Sequence, residues 1–139
     1  PKLWRGSFPS AAQARKERNE DANMERLWRA TINSWNGLAF VLGSERAIQQ
    51  EAVVFIVAVP AAFWLTGSAV QRFMLIGSIV FLIVVELLNT AVEKLADRVM
   101  REQDVEIGRV KDIASAAVGI SILLVAAVWL WALIGWLYR

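Results

Sequence analysis

FLIVVELLNTAVEKLADRVMREQDVEIGRVKD, residues 81–112, begins as a hydrocarbon-compatible helix and turns polar as it leaves its apolar run. Glu86, Asn89, Glu93 and Asp97 stand at offsets of 0, 3, 7 and 11. At about 3.6 residues per turn these four side chains share one helical face. Glu86 still lies inside a stretch that otherwise reads as membrane. A carboxylate there costs about 3 kcal/mol on insertion scales. A chain that keeps such a group has a use for it.

Outward from this stretch the chain stays apolar. It is 57% hydrophobic over 139 residues, with a mean hydropathy of +0.45. That is too apolar for an ordinary small soluble domain and allows one compact unit. Ala52–Gln71 carries no charge and just reaches the length of about 20 residues that a span needs. Pro60 inside it is tolerable in a membrane, and Thr66-Gly67-Ser68 marks a turn. Gly77-Ser78 offers a small surface for close helix approach in the second span. Ile113–Tyr138 is a third, uncharged span, with Trp129, Trp131, Trp136 and Tyr138 as an aromatic belt at its end. The spans are expected over about 48–70, 73–98 and 110–138.

Upstream, Met24–Gly43 places Leu27, Trp28, Thr31, Trp35, Leu38 and Leu42 at helical spacing. This predicts an amphipathic helix on the membrane surface, over about 24–43. Ser44 reads as the N-cap of the next helix. Residues 1–23 are polar and mixed in charge, and read as a cytoplasmic tail, partly helical around Ala11–Glu20. The fold class is therefore an all-α membrane protein: a tail, a surface helix and three transmembrane helices, with residues 24–139 as the membrane domain. Eight Lys and Arg precede Glu51 and five lie between Lys94 and Lys111; only Arg72 and Arg139 fall elsewhere. The positive-inside rule then puts the N-terminus in the cytoplasm and the C-terminus outside.

The chain has no cysteine and no histidine. That excludes disulfides, thiol nucleophiles, Ser-His-Asp triads and most zinc sites. A net charge of +2 gives no footprint for nucleic acid. The topology brings Glu45–Glu51, Glu86–Asp97 and Lys111–Asp112 to one depth at the cytoplasmic boundary. Glu45 and Glu93 are candidates to share a hard cation through oxygen. Glu86, deeper, suits a proton acceptor or donor. Lys111, Arg26 and Arg98 are candidates to meet phosphate oxygens. Such a set suits phosphoryl transfer, yet no Walker-type glycine loop is present. Each group also has a bland reading. Glu86 could bond Asn89 or Ser115, Asp97 could pair with Lys94 or Arg101, and Lys111-Asp112 could simply anchor a helix start.

ELLNTAVEKLADR from Glu86, followed by GRVKDIASAAV from Gly108, resembles the signature of the prokaryotic diacylglycerol kinase family. Arg26, SWNGL at Ser34 and SERAIQQE at Ser44 fit the same family in order. The resemblance covers about Met24 to the end. It implies an inner-membrane homotrimer with one surface helix and three spans per subunit, and sites shared between subunits. It implies phosphorylation of diacylglycerol to phosphatidic acid, with ATP as co-substrate and Mg²⁺. By position, Glu86 resembles the general base and Asn89 its polar neighbour in the catalytic site. Glu45 and Glu93 resemble the metal ligands. Arg26, Glu45, Glu93, Glu102, Lys111 and Asp112 resemble nucleotide-contacting positions. Arg26, Trp35, Gln50, Glu51, Glu86 and Ser115 resemble lipid-side positions. Asp104 stands where the best-known members carry a histidine. The family also has an undecaprenol kinase branch, and the reading from another class is a small proton-coupled transporter or assembly subunit with Glu86 as relay.

Overall fold

The computed structural model describes residues 10–99 and 104–138. All the regular structure among them is helical: α1 Ala11–Ser44, α2 Arg46–Leu65, α3 Ala69–Val99 and α4 Val105–Leu137. The last three are long and apolar enough to cross a membrane. The chain forms two compact units, Pro1–Phe40 and Val41–Arg139.

The first unit is the body of α1. Its helix starts earlier than the apolar periodicity alone suggests. Ser10 N donates to Gln13 Oε1 at 2.8 Å, and Gln13 N donates to Ser10 Oγ at 3.3 Å. That is a capping box, which satisfies two of the donors a helix start leaves open. Further along, Leu27, Trp28 and Trp35 are exposed, as are the polar residues around them.

In the second unit α3 packs against both α2 and α4, while α2 and α4 meet little. One stripe of α3 explains this. Leu75, Ser78, Ile79, Leu82, Glu86, Asn89 and Thr90 are buried, and they recur every three or four residues. The same face that buries leucine at one end buries a carboxylate and an amide at the other. Its apolar half meets Ala62 of α2 and Ala132 of α4, with Ile76, Val128 and Trp129 packed around them. Small residues on α2 and α4 let the helices approach α3 closely. By contrast, α4 buries only Ser121 and Ala132 within the unit. It is apolar on every side, which suits a helix that meets lipid or other helices all round.

The far end is closed by a short turn. α2 stops at Leu65, so Thr66–Ser68 belongs to the connection and not to the span. Thr66 Oγ1 donates to Gln71 Oε1 at 2.5 Å and accepts from Ser68 N at 3.0 Å. Arg72 Nε donates to Thr66 O at 2.8 Å, and its guanidinium lies 4.6 Å from the Phe63 ring centre. Trp64 and Trp136 stack with ring centres 4.8 Å apart. Trp129 Nε1 donates to Leu75 O at 3.2 Å, tying α4 to α3.

Candidate functional site at the polar end of the helices

Helix length places the polar residues. The 31 residues of α3 rise about 46 Å at 1.5 Å each, against a hydrocarbon core of about 30 Å. Measured from Ala69, that core is used up after about 20 residues. Glu86 then lies about one turn inside the boundary, Asn89 at it, and Glu93 and Asp97 beyond it. Against the rest of the protein, Glu86 and Asn89 are buried, while Glu93 and Asp97 are exposed.

The second carboxylate element is the start of α2. Glu45, not Ser44, occupies the N-cap position, with φ −110° and ψ 117°. Ser44 is the last residue of α1. The chain turns without leaving helix for more than one residue, so the extended residue falls one position later than serine chemistry suggests. Glu45 makes no side-chain cap on α2. Its Oε1 instead meets Lys94 Nζ at 2.6 Å, joining α2 to α3. The Lys94 hydrogen bond holds the Glu45 carboxyl below its ordinary value of 4.5. Ser44 Oγ also donates to Glu45 Oε1 at 3.2 Å.

Further along α2, Glu51 is half-buried, and its Oε2 has no partner among the described residues. It lies close enough to Glu86 for the two charges to interact. Glu86 is likewise within range of Glu93 and Glu45. Four carboxylates thus converge from two helices. Among the described residues Glu86 has neither an ion pair nor a hydrogen bond, so the bland reading, a bond to Asn89 or Ser115, is not what the structure contains. Asn89 turns the other way. Its Nδ2 donates to Glu93 Oε1 at 3.1 Å, and its Oδ1 is buried without a partner.

α4 enters through Lys111, whose Nζ pairs with Asp97 of α3. Of the expected partners of Asp97, Arg101 lies outside the described residues, and the ion pair of Lys94 is with Glu45. Lys111 also feels the charge of Glu93. Asp112 and Ser115 are exposed on α4. Asp112 is not at a helix start, because α4 begins at Val105. Asp104 holds that role: it accepts from Glu106 N at 2.8 Å and Ile107 N at 3.1 Å. Gln50 is exposed beside Glu51, where a cavity of about 520 Å³ is lined by Arg46, Gln49, Gln50, Val53 and Val54. Arg26 and Trp35 belong to the first unit, where both are exposed. Glu102 lies outside the described residues.

The structure therefore gathers Glu45, Glu51, Glu86, Asn89, Glu93 and Lys111. Two participants were not read as a link from the sequence: Lys94, and Asp97 as the partner of Lys111. Nothing local signals a pairing 49 or 14 residues apart. Among the described residues no three carboxylates stand close enough to form a metal cage by themselves. The available donors are hard oxygens, two of them buried and unpartnered, with no nitrogen or sulfur ligand among them.

Comparison with known proteins bears on this arrangement. A family model described as Prokaryotic diacylglycerol kinase matches residues 32–133. The chain is 38% identical to the diacylglycerol kinase of Escherichia coli (strain K12) over 120 residues, which is 84% of this chain and 98% of the relative. It is 32% identical over 106 residues to the diacylglycerol kinase of Haemophilus influenzae, 76% of this chain and 90% of the relative. For the diacylglycerol kinase of Pseudomonas aeruginosa the figures are 31% over 112 residues, 81% and 91%.

Proposed function

The chain belongs to the prokaryotic diacylglycerol kinase family, and from that premise we propose that it transfers the γ-phosphoryl group of ATP to diacylglycerol at the cytoplasmic surface of the inner membrane. It is a lipid phosphotransferase by membership. The observation that carries the finer reading is a buried acid without a counter-ion among the described residues, Glu86, about two turns along α3 from Glu93 and Lys94, which with Glu45 and Lys111 form a polar rim. A lipid hydroxyl and a nucleotide phosphate differ in the solvent they prefer. A site for both belongs at this depth.

Glu86 is the general base. The hydroxyl oxygen of the lipid forms the new P–O bond, ADP leaves, and a Glu86 oxygen receives the hydroxyl proton. No lysine or arginine neutralises that carboxylate among the described residues, so it keeps its capacity to accept. Asn89 fixes Glu93 through its amide nitrogen. Lys111, steered by Asp97, and Arg26 offer cations to the phosphates. Asp112 and Glu102 are proposed on the nucleotide side, and Trp35, Gln50, Glu51 and Ser115 on the lipid side.

The donor set fits Mg²⁺. That ion takes oxygen ligands and is ordinarily held by one or two carboxylates plus substrate phosphates, not by an all-protein cage. Glu45 and Glu93 would be those carboxylates. When bound, Mg²⁺ draws negative charge from the transferring phosphoryl group. A homotrimer, with the N-terminus inside and the C-terminus outside, completes the proposal. Most of α4 is left uncovered within one subunit, which leaves room for a second copy.

The deciding experiment supplies labelled ATP with a panel of lipid alcohols in mixed micelles. Label in phosphatidic acid is the expected result. Label in undecaprenyl phosphate alone would assign the chain to the family's other branch, and label in no lipid would overturn the reading.

A further inference from the structure

The pair between Lys94 and Glu45 has a use beyond holding two helices together. Glu45 stands at the N-cap of α2, where an acidic side chain ordinarily accepts from the first-turn N–H groups. It makes no such bond and gives its carboxylate to Lys94 at 2.6 Å. The pair is not locked away: the side chains keep 43% and 29% of their exposure, so water can replace either partner. Lys94 also follows Glu93 directly in sequence. The ammonium that occupies one proposed metal ligand is therefore carried by the same turn as the other. An ammonium and a divalent cation on one carboxylate repel each other, so each weakens the hold of the other.

We infer that Lys94 is a positioning residue that competes with the metal for Glu45 and yields it only when phosphate oxygens are present to receive the lysine. This rests on the reading of Glu45 as a metal ligand. The consequence is ordered loading. Bare divalent cation meets an occupied carboxylate, whereas cation arriving with nucleotide brings the anion that draws Lys94 away. The rim then selects the metal–nucleotide complex over either component alone.

The test measures Mn²⁺ binding to the full chain in micelles without nucleotide, from the spin-resonance signal of free Mn²⁺. Lys94→Met should bind Mn²⁺ about three- to fivefold more tightly than wild type, the size of a partly exposed ion pair. Lys94→Gln serves the same purpose if the methionine variant does not fold. Lys94→Arg should match wild type. Arg98→Gln removes one positive charge a turn further along α3, from a side chain with no described contact to Glu45, and should stay within about twofold of wild type. In Glu45→Gln/Lys94→Met the gain should vanish. Unchanged affinity in both Lys94 variants, an equal gain in Arg98→Gln, or a gain that survives the double substitution would each overturn the inference. A Lys94→Met gain in a protein that phosphorylates no lipid would leave this inference standing and remove the kinase reading alone.

Discussion

Glu86→Gln separates catalysis from stability. The substitution keeps the shape of a side chain only 8% exposed, and it removes a charge that no ion pair compensates among the described residues. Ordinarily, taking one partner from a buried ionic contact leaves the other charge stranded, at a cost of about 3–5 kcal/mol. Here there is no partner to strand. What disappears is repulsion from Glu93, Glu45 and Glu51. The folded protein should therefore melt at the same temperature as wild type or higher. Turnover should behave in the opposite way. A general base contributes about a hundred- to ten-thousand-fold, or about 3–5 kcal/mol of barrier at 1.36 kcal/mol per decade. The assay is initial-rate transfer from labelled ATP to diacylglycerol in mixed micelles, run beside a thermal melt of the same preparation. A variant retaining more than about a tenth of wild-type turnover would refute the base assignment. A large fall in melting temperature would refute the claim that Glu86 is uncompensated.

Three further outcomes follow from particular contacts. Asp104→Ala removes the acceptor for two N–H groups at the start of α4 and should cost about 1 kcal/mol of stability, read by thermal melting; an unchanged melt would mean the cap is replaced by water. Trp129→Phe keeps a six-membered ring but loses the donor to Leu75 O and the volume of the pyrrole ring, and should cost at least about 0.5–1.5 kcal/mol, with an unchanged melting midpoint counting against that bond. Lys94 depresses the Glu45 carboxyl below 4.5, so the pair's stabilisation is present above that ordinary value and fades as pH falls through the lower folded one; the melting difference between wild type and Glu45→Gln should shrink on acidification below that ordinary value, and a difference that grows there would reverse the assignment.

Periodicity made most of the fold legible. The face through Glu86, Asn89, Glu93 and Asp97 was readable because an acid inside an apolar run stands out against its neighbours, and helical geometry then selects its companions. Helix starts were less legible. Ser44 looked like a cap, but the backbone turn fell at Glu45, which uses its side chain elsewhere. The capping box at Ser10 and Gln13 sits outside the apolar pattern, at the start of the tail segment that reads as partly helical around Ala11–Glu20. Asp104 drew attention only as a departure from a family residue, yet its chemistry is that of a helix cap. The cross-helix pairs, Lys94 with Glu45 and Lys111 with Asp97, could not be read at all. Each depends on the rotation of one long helix against another, which no local spacing encodes.

The distribution of counter-charges says how a nucleotide has to enter. Two lysines from different helices take the outermost acids, Glu45 and Asp97. The acids further in, Glu51 and Glu86, keep no ion pair among the described residues, and Glu93 has only an amide donor. A phosphate chain approaching from the water meets cations first and uncompensated carboxylates immediately behind them. Alone, it would be held at the rim by the first and repelled by the second. With a divalent cation between phosphate and carboxylate, the same inner acids become attractive, and the γ-phosphorus can come within reach of a hydroxyl held at the depth of Glu86. On the proposed reading, the deficit of positive charge around the inner acids would make the cation a condition of approach as well as of chemistry. Neutralising Glu93 should therefore weaken the dependence of the apparent ATP affinity on Mg²⁺, and an unchanged Mg²⁺ titration in Glu93→Ala would contradict this account.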